Sequence, residues 1–188
     1  MTQTSHIKAA QLTSLDLNPP PYGDLGSAGA GAPFRDAAVT GFVNTVTGDL
    51  SGSTYQLVRV PSFAIIKRVQ IAWAAMGAGD LDLSVYYSSS LVDGTTPANQ
   101  GLVVPTTGSV FFMDGQDLTS ASGWTDKTFA NQANSGSYTP LLMNKRLWDA
   151  LGLASDPGGF FDIVLTVDTT AVTTGGGFVS LQVDYDAQ

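Results

Sequence analysis

Apolar and polar residues alternate with a period of two through most of the apolar runs, and the longest alternation closes the chain. Phe161, Ile163, Leu165 and Val167 alternate with Asp162, Thr166 and Asp168, and Val179, Leu181, Val183 and Tyr185 alternate with Ser180, Gln182 and Asp184. A pleated strand sends successive side chains to opposite faces, so this pattern predicts two half-buried antiparallel strands. The glycines Gly175, Gly176 and Gly177 between them read as a hairpin turn. Asp162, Asp168 and Asp184 then fall on one solvated or contact-making face.

Upstream, VTGFVNTVTG (39–48) and STYQLVRVP (53–61) read as strands separated by the turn-rich DLSG. In AIIKRVQIAWAA, Val69, Ile71 and Trp73 take one face and Arg68, Gln70 and Ala72 the other. After Gly77-Ala78-Gly79, Leu81, Leu83, Val85 and Tyr87 alternate with Asp80, Asp82, Ser84 and Tyr86. These two runs predict a central hairpin. Helical spacing occurs at residues 143–152, where Asn144 is the expected cap and Leu147, Trp148 and Leu151 form the apolar face. Gly152 suits a left-handed C-terminal position, and Pro157 prevents continuation.

Two regions lack this regularity. Residues 88–140 read as a long loop region with one short strand candidate, SVFFMDG, and a polar stretch, TSASGWTDKTFANQANSGS. Trp124, Phe129 and Tyr138 are expected to pin that stretch to the body, with a ligand platform as the alternative. Residues 1–36 contain Pro19-Pro20-Pro21 and a Gly/Ala-rich run, and predict an extended N-terminal arm ahead of a body spanning 37–188. The apolar residues spaced along the arm suit docking, on its own body or on a partner. Leu15, Leu17, Tyr22, Leu25 and Phe34 are the candidate contacts there, with Trp124 on the body. No repeat of 20 to 50 residues is visible. The expected fold is all-β: a jelly-roll-like antiparallel β-sandwich with one short helix.

Composition narrows the functional classes. The 188 residues are 43% hydrophobic and 13% charged, which favours a packed domain over a disordered one. All 16 acidic residues are Asp, a residue of turns and strand ends, in keeping with very little helix. A net charge of −8 with only eight Lys and Arg argues against direct nucleic-acid binding. The pairs Lys67-Arg68 and Lys145-Arg146 read as solvated or partner-contacting. There is no cysteine, so neither disulfides nor thiolate metal sites are available. No apolar run is long enough to span a bilayer, and the N-terminus lacks a secretory pattern, so synthesis and use without export are expected.

Candidate chemistry is sparse. His6 is the sole histidine, which disfavours a Ser-His-Asp triad or a multi-histidine metal site. Asp80 and Asp82 share a strand face about 7 Å apart and could in principle pair for glycoside hydrolysis, but they occupy polar positions of a clean alternation and read as solvent-facing. Asp114 and Asp117, in MDGQDL, could offer oxygens to calcium, yet the spacing is not that of a calcium loop and turn formation explains them better. The Gly175–177 run has no following helix to cradle phosphate. No catalytic residue, cofactor or metal is assigned, and an enzyme is not expected.

The segments GSTYQLVRVPSFAIIKRVQIAWAAMGAGDLDLSVYYSS (52–89) and KRLWDALGLASDPGGFFDIVLTVDTTAVTTGGGFVSLQVDYD (145–186) carry a family resemblance. With the R-V-P step at Arg59, Val60 and Pro61, the Asp-rich strand and the LWDALGL helix, they resemble structural proteins encoded beside the major capsid protein in tailed bacteriophages. The resemblance implies a head decoration or cement protein with a jelly-roll-like body. Such a protein would bind the outer shell, bridge capsomers and stabilise the virion, after synthesis in the host cytoplasm. Its implied partners are the major capsid protein and further copies of itself, with a trimer set slightly ahead of a dimer. The alternatives are a carbohydrate-binding host-attachment module stacking sugars on Trp124, Tyr86, Tyr87 or Tyr138, and a low-copy tail, portal-associated or fibre-linked component.

Overall fold

The computed structural model describes residues 6–8, 35–77, 81–88, 104, 110–117, 119–129, 138–168, 171–173 and 177–187. Nine strands occur among them: β1 (His6–Lys8), β2 (Arg35–Asn44), β3 (Thr54–Pro61), β4 (Ile65–Trp73), β5 (Leu81–Tyr87), β6 (Met113–Gln116), β7 (Ser122–Asp126), β8 (Phe160–Val167) and β9 (Phe178–Ala187). They form two sheets, ordered β1-β3-β8-β5-β6 and β2-β9-β4-β7. Every pairing is antiparallel except that of β1 with β3, where His6–Lys8 runs beside Thr54–Gln56.

Successive strands alternate between the sheets, and only the β5-to-β6 connection stays within one. From β2 to β9 this gives a jelly-roll-like sandwich, the expected all-β class. It also corrects both expected hairpins. β4 and β5 belong to different sheets, and so do β8 and β9, so the segment ending in Gly177 is a crossover rather than a hairpin turn. Alternation showed that these runs are strands, but a crossover and a hairpin link identical patterns.

The inward faces form the core. Val179, Leu181, Val183 and Tyr185 of β9 meet Tyr55, Val58 and Val60 of β3 and Ile163 and Leu165 of β8 within one buried cluster. Gly41 of β2 allows a close approach between the sheets. A Cβ there would stand 1.9 Å from the Leu57 carbonyl oxygen, at the irregular step between Gln56 and Val58. Two buried hydroxyls cross the interior: Tyr55 donates to Asp49 Oδ2 at 2.7 Å, and Tyr138 to the Ile66 carbonyl at 2.7 Å.

The expected helix shrinks to α1 (Leu147–Ala150), preceded by a 3-10 turn at Pro140–Leu142. Arg146, not Asn144, holds the cap position, with extended backbone and no side-chain bond. The helix begins late because the Leu147 and Trp148 amides donate to the Ala64 and Ser62 carbonyls, docking its first turn on the bend after β3. Leu147 and Leu151 are buried, and Gly152 adopts φ 75° as expected. Within the long loop region, the polar stretch contains β7, which adds an edge to the second sheet.

Candidate interaction surface

The pairing register arranges the outer face of the β2-β9-β4-β7 sheet in rows. Thr40, Gln182, Gln70 and Asp126 make one row, and Phe42, Ser180 and Ala72 the next, while Asn44 lies opposite Phe178. Trp124 lies at the β7 irregularity opposite Ala72, on the same alternation as Asp126. Phe42 is 59% exposed, Trp124 50% and Phe178 45%. Phe42 and Phe178 are diagonal neighbours on adjacent strands, and Trp124 lies three strand spacings away, about 14 Å. The three aromatics thus share one sheet face, separated by small or uncharged side chains.

Toward the other end the same face is ionic and internally paired. Arg68 bridges to Asp184 at 2.7 Å and Lys67 to Asp186 at 2.8 Å. A hydrogen bond shared with Asp186, reinforced by that neighbour's charge, raises the Asp36 carboxyl above its ordinary range and lowers Asp186. Lys145, from the second expected basic pair, bridges to Asp149 at 3.1 Å.

The polar positions of the opposite sheet behave differently. Asp162, expected on a solvated face, is 3% exposed and takes a two-pronged ion pair from Arg59: Nε to Oδ1 at 2.6 Å and a terminal nitrogen to Oδ2 at 3.0 Å. β8 lies between β3 and β5, and both of its faces are shielded from solvent. Asp168 and Asp184 remain more accessible.

Asp82, expected to face solvent, is half-buried and accepts a hydrogen bond from the Gly115 amide at 2.9 Å. Burial, followed by the charges of Asp168 and Asp114, pushes its carboxyl up to about 6. Asp80 lies outside the described residues. Asp117 accepts the Thr119 amide at 2.8 Å, the turn geometry expected of it. Among the described residues no group of three acidic or histidine side chains is placed to hold a metal ion.

Of the expected partner contacts, Trp124 is on the exposed face, whereas Leu15, Leu17, Tyr22, Leu25 and Phe34 lie outside the described residues. Tyr86, Tyr87 and Tyr138 are buried and cannot act as sugar platforms. Tyr138 instead stacks on Phe129 with ring centroids 5.8 Å apart, pinning this region to the body as expected. Phe42 and Phe178 were missed by sequence reasoning. Their signal was available: each occupies a polar position of its strand's alternation, and an aromatic there points outward.

A jelly-roll-like sandwich with an uncharged aromatic surface is the class that the fold and this face define. Its fold is also that of a chain in the structure described as "Capsid of Ralstonia phage GP4". The two agree at TM-score 0.59 with 11% sequence identity, over 98% of this chain and 99% of that one. A chain of the "Cyanophage Pam1 capsid asymmetric unit" aligns at TM-score 0.40 and 16% identity, over 87% of this chain and 93% of that one. No protein-family model matches the chain, and no curated protein sequence does.

Proposed function

We propose that the protein is a structural component of a tailed-phage virion that decorates the head from outside and holds neighbouring capsomers together. The observation that carries this reading is the end-to-end correspondence of its fold with a chain from a phage capsid structure. The sequence resemblance to proteins encoded beside the major capsid protein supports the same role. On this reading the major capsid protein is the partner, and the exposed aromatic end of the β2-β9-β4-β7 face, centred on Trp124, is the docking surface. Of the expected arm of residues 1–36, His6–Lys8 pair with β3 and Arg35 and Asp36 belong to β2. On this reading the segment between them adds reach, with Leu15, Leu17, Tyr22, Leu25 and Phe34 as its anchors. Burial of three of the four candidate sugar-stacking aromatics weighs against the glycan-binding alternative.

The test is a copy-number count by quantitative mass spectrometry with imaging of intact particles. Hundreds of copies on the outer shell are expected, together with loss of binding to bare shells on Trp124→Ala without a change in melting temperature. A few copies at one vertex would replace this reading with a tail or portal-associated role.

A further inference from the structure

The strands at the sheet edges are not alike. β1 has three residues, β6 four and β7 five, and β7 pairs with an irregular step. Short and irregular edges are how sheets avoid pairing with other chains. β2 is different: its ten residues, Arg35–Asn44, pair with β9 in unbroken register, and no described strand lies on its other side. It contains no proline and no lysine, and no charged residue from Ala37 to Asn44. In an antiparallel ladder, alternate residues turn their N–H and C=O away from the paired neighbour, so about half of the backbone groups of β2 face an edge that no described strand covers. Ala38, Thr40, Phe42 and Asn44, on the outer face, are all exposed.

We propose that β2 is a self-association edge, which pairs antiparallel with β2 of a second copy across a two-fold axis and joins two four-stranded sheets into one of eight. A two-fold axis normal to the sheet keeps outer faces continuous, so even-numbered residues must lie opposite even-numbered ones. With Thr40 on the axis, Asp36 to Asn44 are paired. Phe42 then faces the partner's Ala38, a large side chain against a small one, and Asp36 faces the partner's Asn44. No like charges are opposed, although each copy carries a net charge of −8.

A second copy therefore fits this edge better than an acidic or basic peptide, for which Ala37 to Asn44 offer no complementary charge. The arrangement closes as a dimer, in place of the trimer favoured from sequence. It places the two Trp124 side chains at the far edges of the joined sheet, about 34 Å apart along it, so that one dimer presents two outward docking ends.

Sedimentation of the 188-residue chain reads this directly. The wild type is expected to be a concentration-dependent dimer. Thr40→Lys, an exposed substitution that opposes two ammonium groups on the axis, is expected to weaken dimerisation by at least about tenfold with an unchanged melting curve. Mixing Thr40→Lys with Thr40→Asp is expected to restore pairing between the two variants. Because the chain has no cysteine, Thr40→Cys supplies an independent reading: mild oxidation is expected to cross-link it into a covalent dimer, while Trp124→Cys stays single. A monomeric wild type, a trimer, a dimer indifferent to Thr40→Lys, or a Thr40→Cys protein that fails to cross-link would each overturn the proposal. Capture of an unrelated strand by a monomeric protein would overturn it as well. The inference is independent of the virion role, since shell binding and self-association are measured separately.

Discussion

Asp162 sits at a polar position of an alternating strand and is nevertheless almost inaccessible, because Arg59 reaches across from β3 to neutralise it. Removing one partner strands the other charge away from water, so Asp162→Asn or Arg59→Met is expected to cost about 3–5 kcal/mol in denaturant unfolding. Replacing both together with apolar residues is expected to cost less than the sum of the single changes, as a double-mutant cycle would read.

Asp82 carries the opposite sign. Its folded-state carboxyl holds a proton to about 6 against an ordinary 3.8, so the folded protein binds more protons than the unfolded chain between those values. Its stabilising contribution is full below about pH 4 and is lost as pH rises through about 6. Asp82→Asn is expected to raise stability above pH 6 by roughly 1–2 kcal/mol, after allowance for solvent screening, and to flatten thermal stability between pH 4 and 7. An unchanged pH profile would rule out Asp82 as the titrating group.

Among the elements, β2 depends on a residue with no side chain. Gly41 lets its backbone lie against the Leu57 carbonyl, and any Cβ there would force the two sheets apart. Gly41→Ala is expected to destabilise the protein by about 1–3 kcal/mol or more. Amide hydrogen exchange should rise selectively in Arg35–Asn44, and uniform protection across both sheets would contradict this account. The inward faces of β4, β5 and β9 were legible in the sequence, because each buries the apolar side of an alternating run, whereas β3 breaks its alternation at Leu57-Val58. β7 was hidden: SGWTD is polar and short, and only its neighbour β4 makes it a strand. The expected start of the helix failed for a related reason, since the carbonyls of Ser62 and Ala64 determine where its first turn docks.

For the whole molecule, β9 is the element on which the second sheet depends, because it pairs with both β2 and β4. Deleting residues 178–188 is expected to abolish cooperative thermal unfolding, followed by circular dichroism, rather than lower its midpoint. A sharp transition in the truncated chain would mean that β4 and β7 hold the sheet without it. The ladder between β2 and β9 joins residues far apart in the chain, so slow folding with late closure of this sheet is expected of such non-local topology.

The sequence by itself determined that most of the long apolar runs are strands, which side of most of them is apolar, and that a left-handed glycine, Gly152, follows the helix. Those properties are local, written in residues a few positions apart. Only the tertiary structure decided that β8 and β9 part company, that Asp162 is buried, that three candidate tyrosines are covered, and that Phe42, Phe178 and Trp124 share one open face. Each of these depends on partners remote in the chain, as with Arg59 and Asp162, 103 residues apart. Alternation says that a side chain leaves the strand on one face, but what lies over that face is set by the packing of the whole chain.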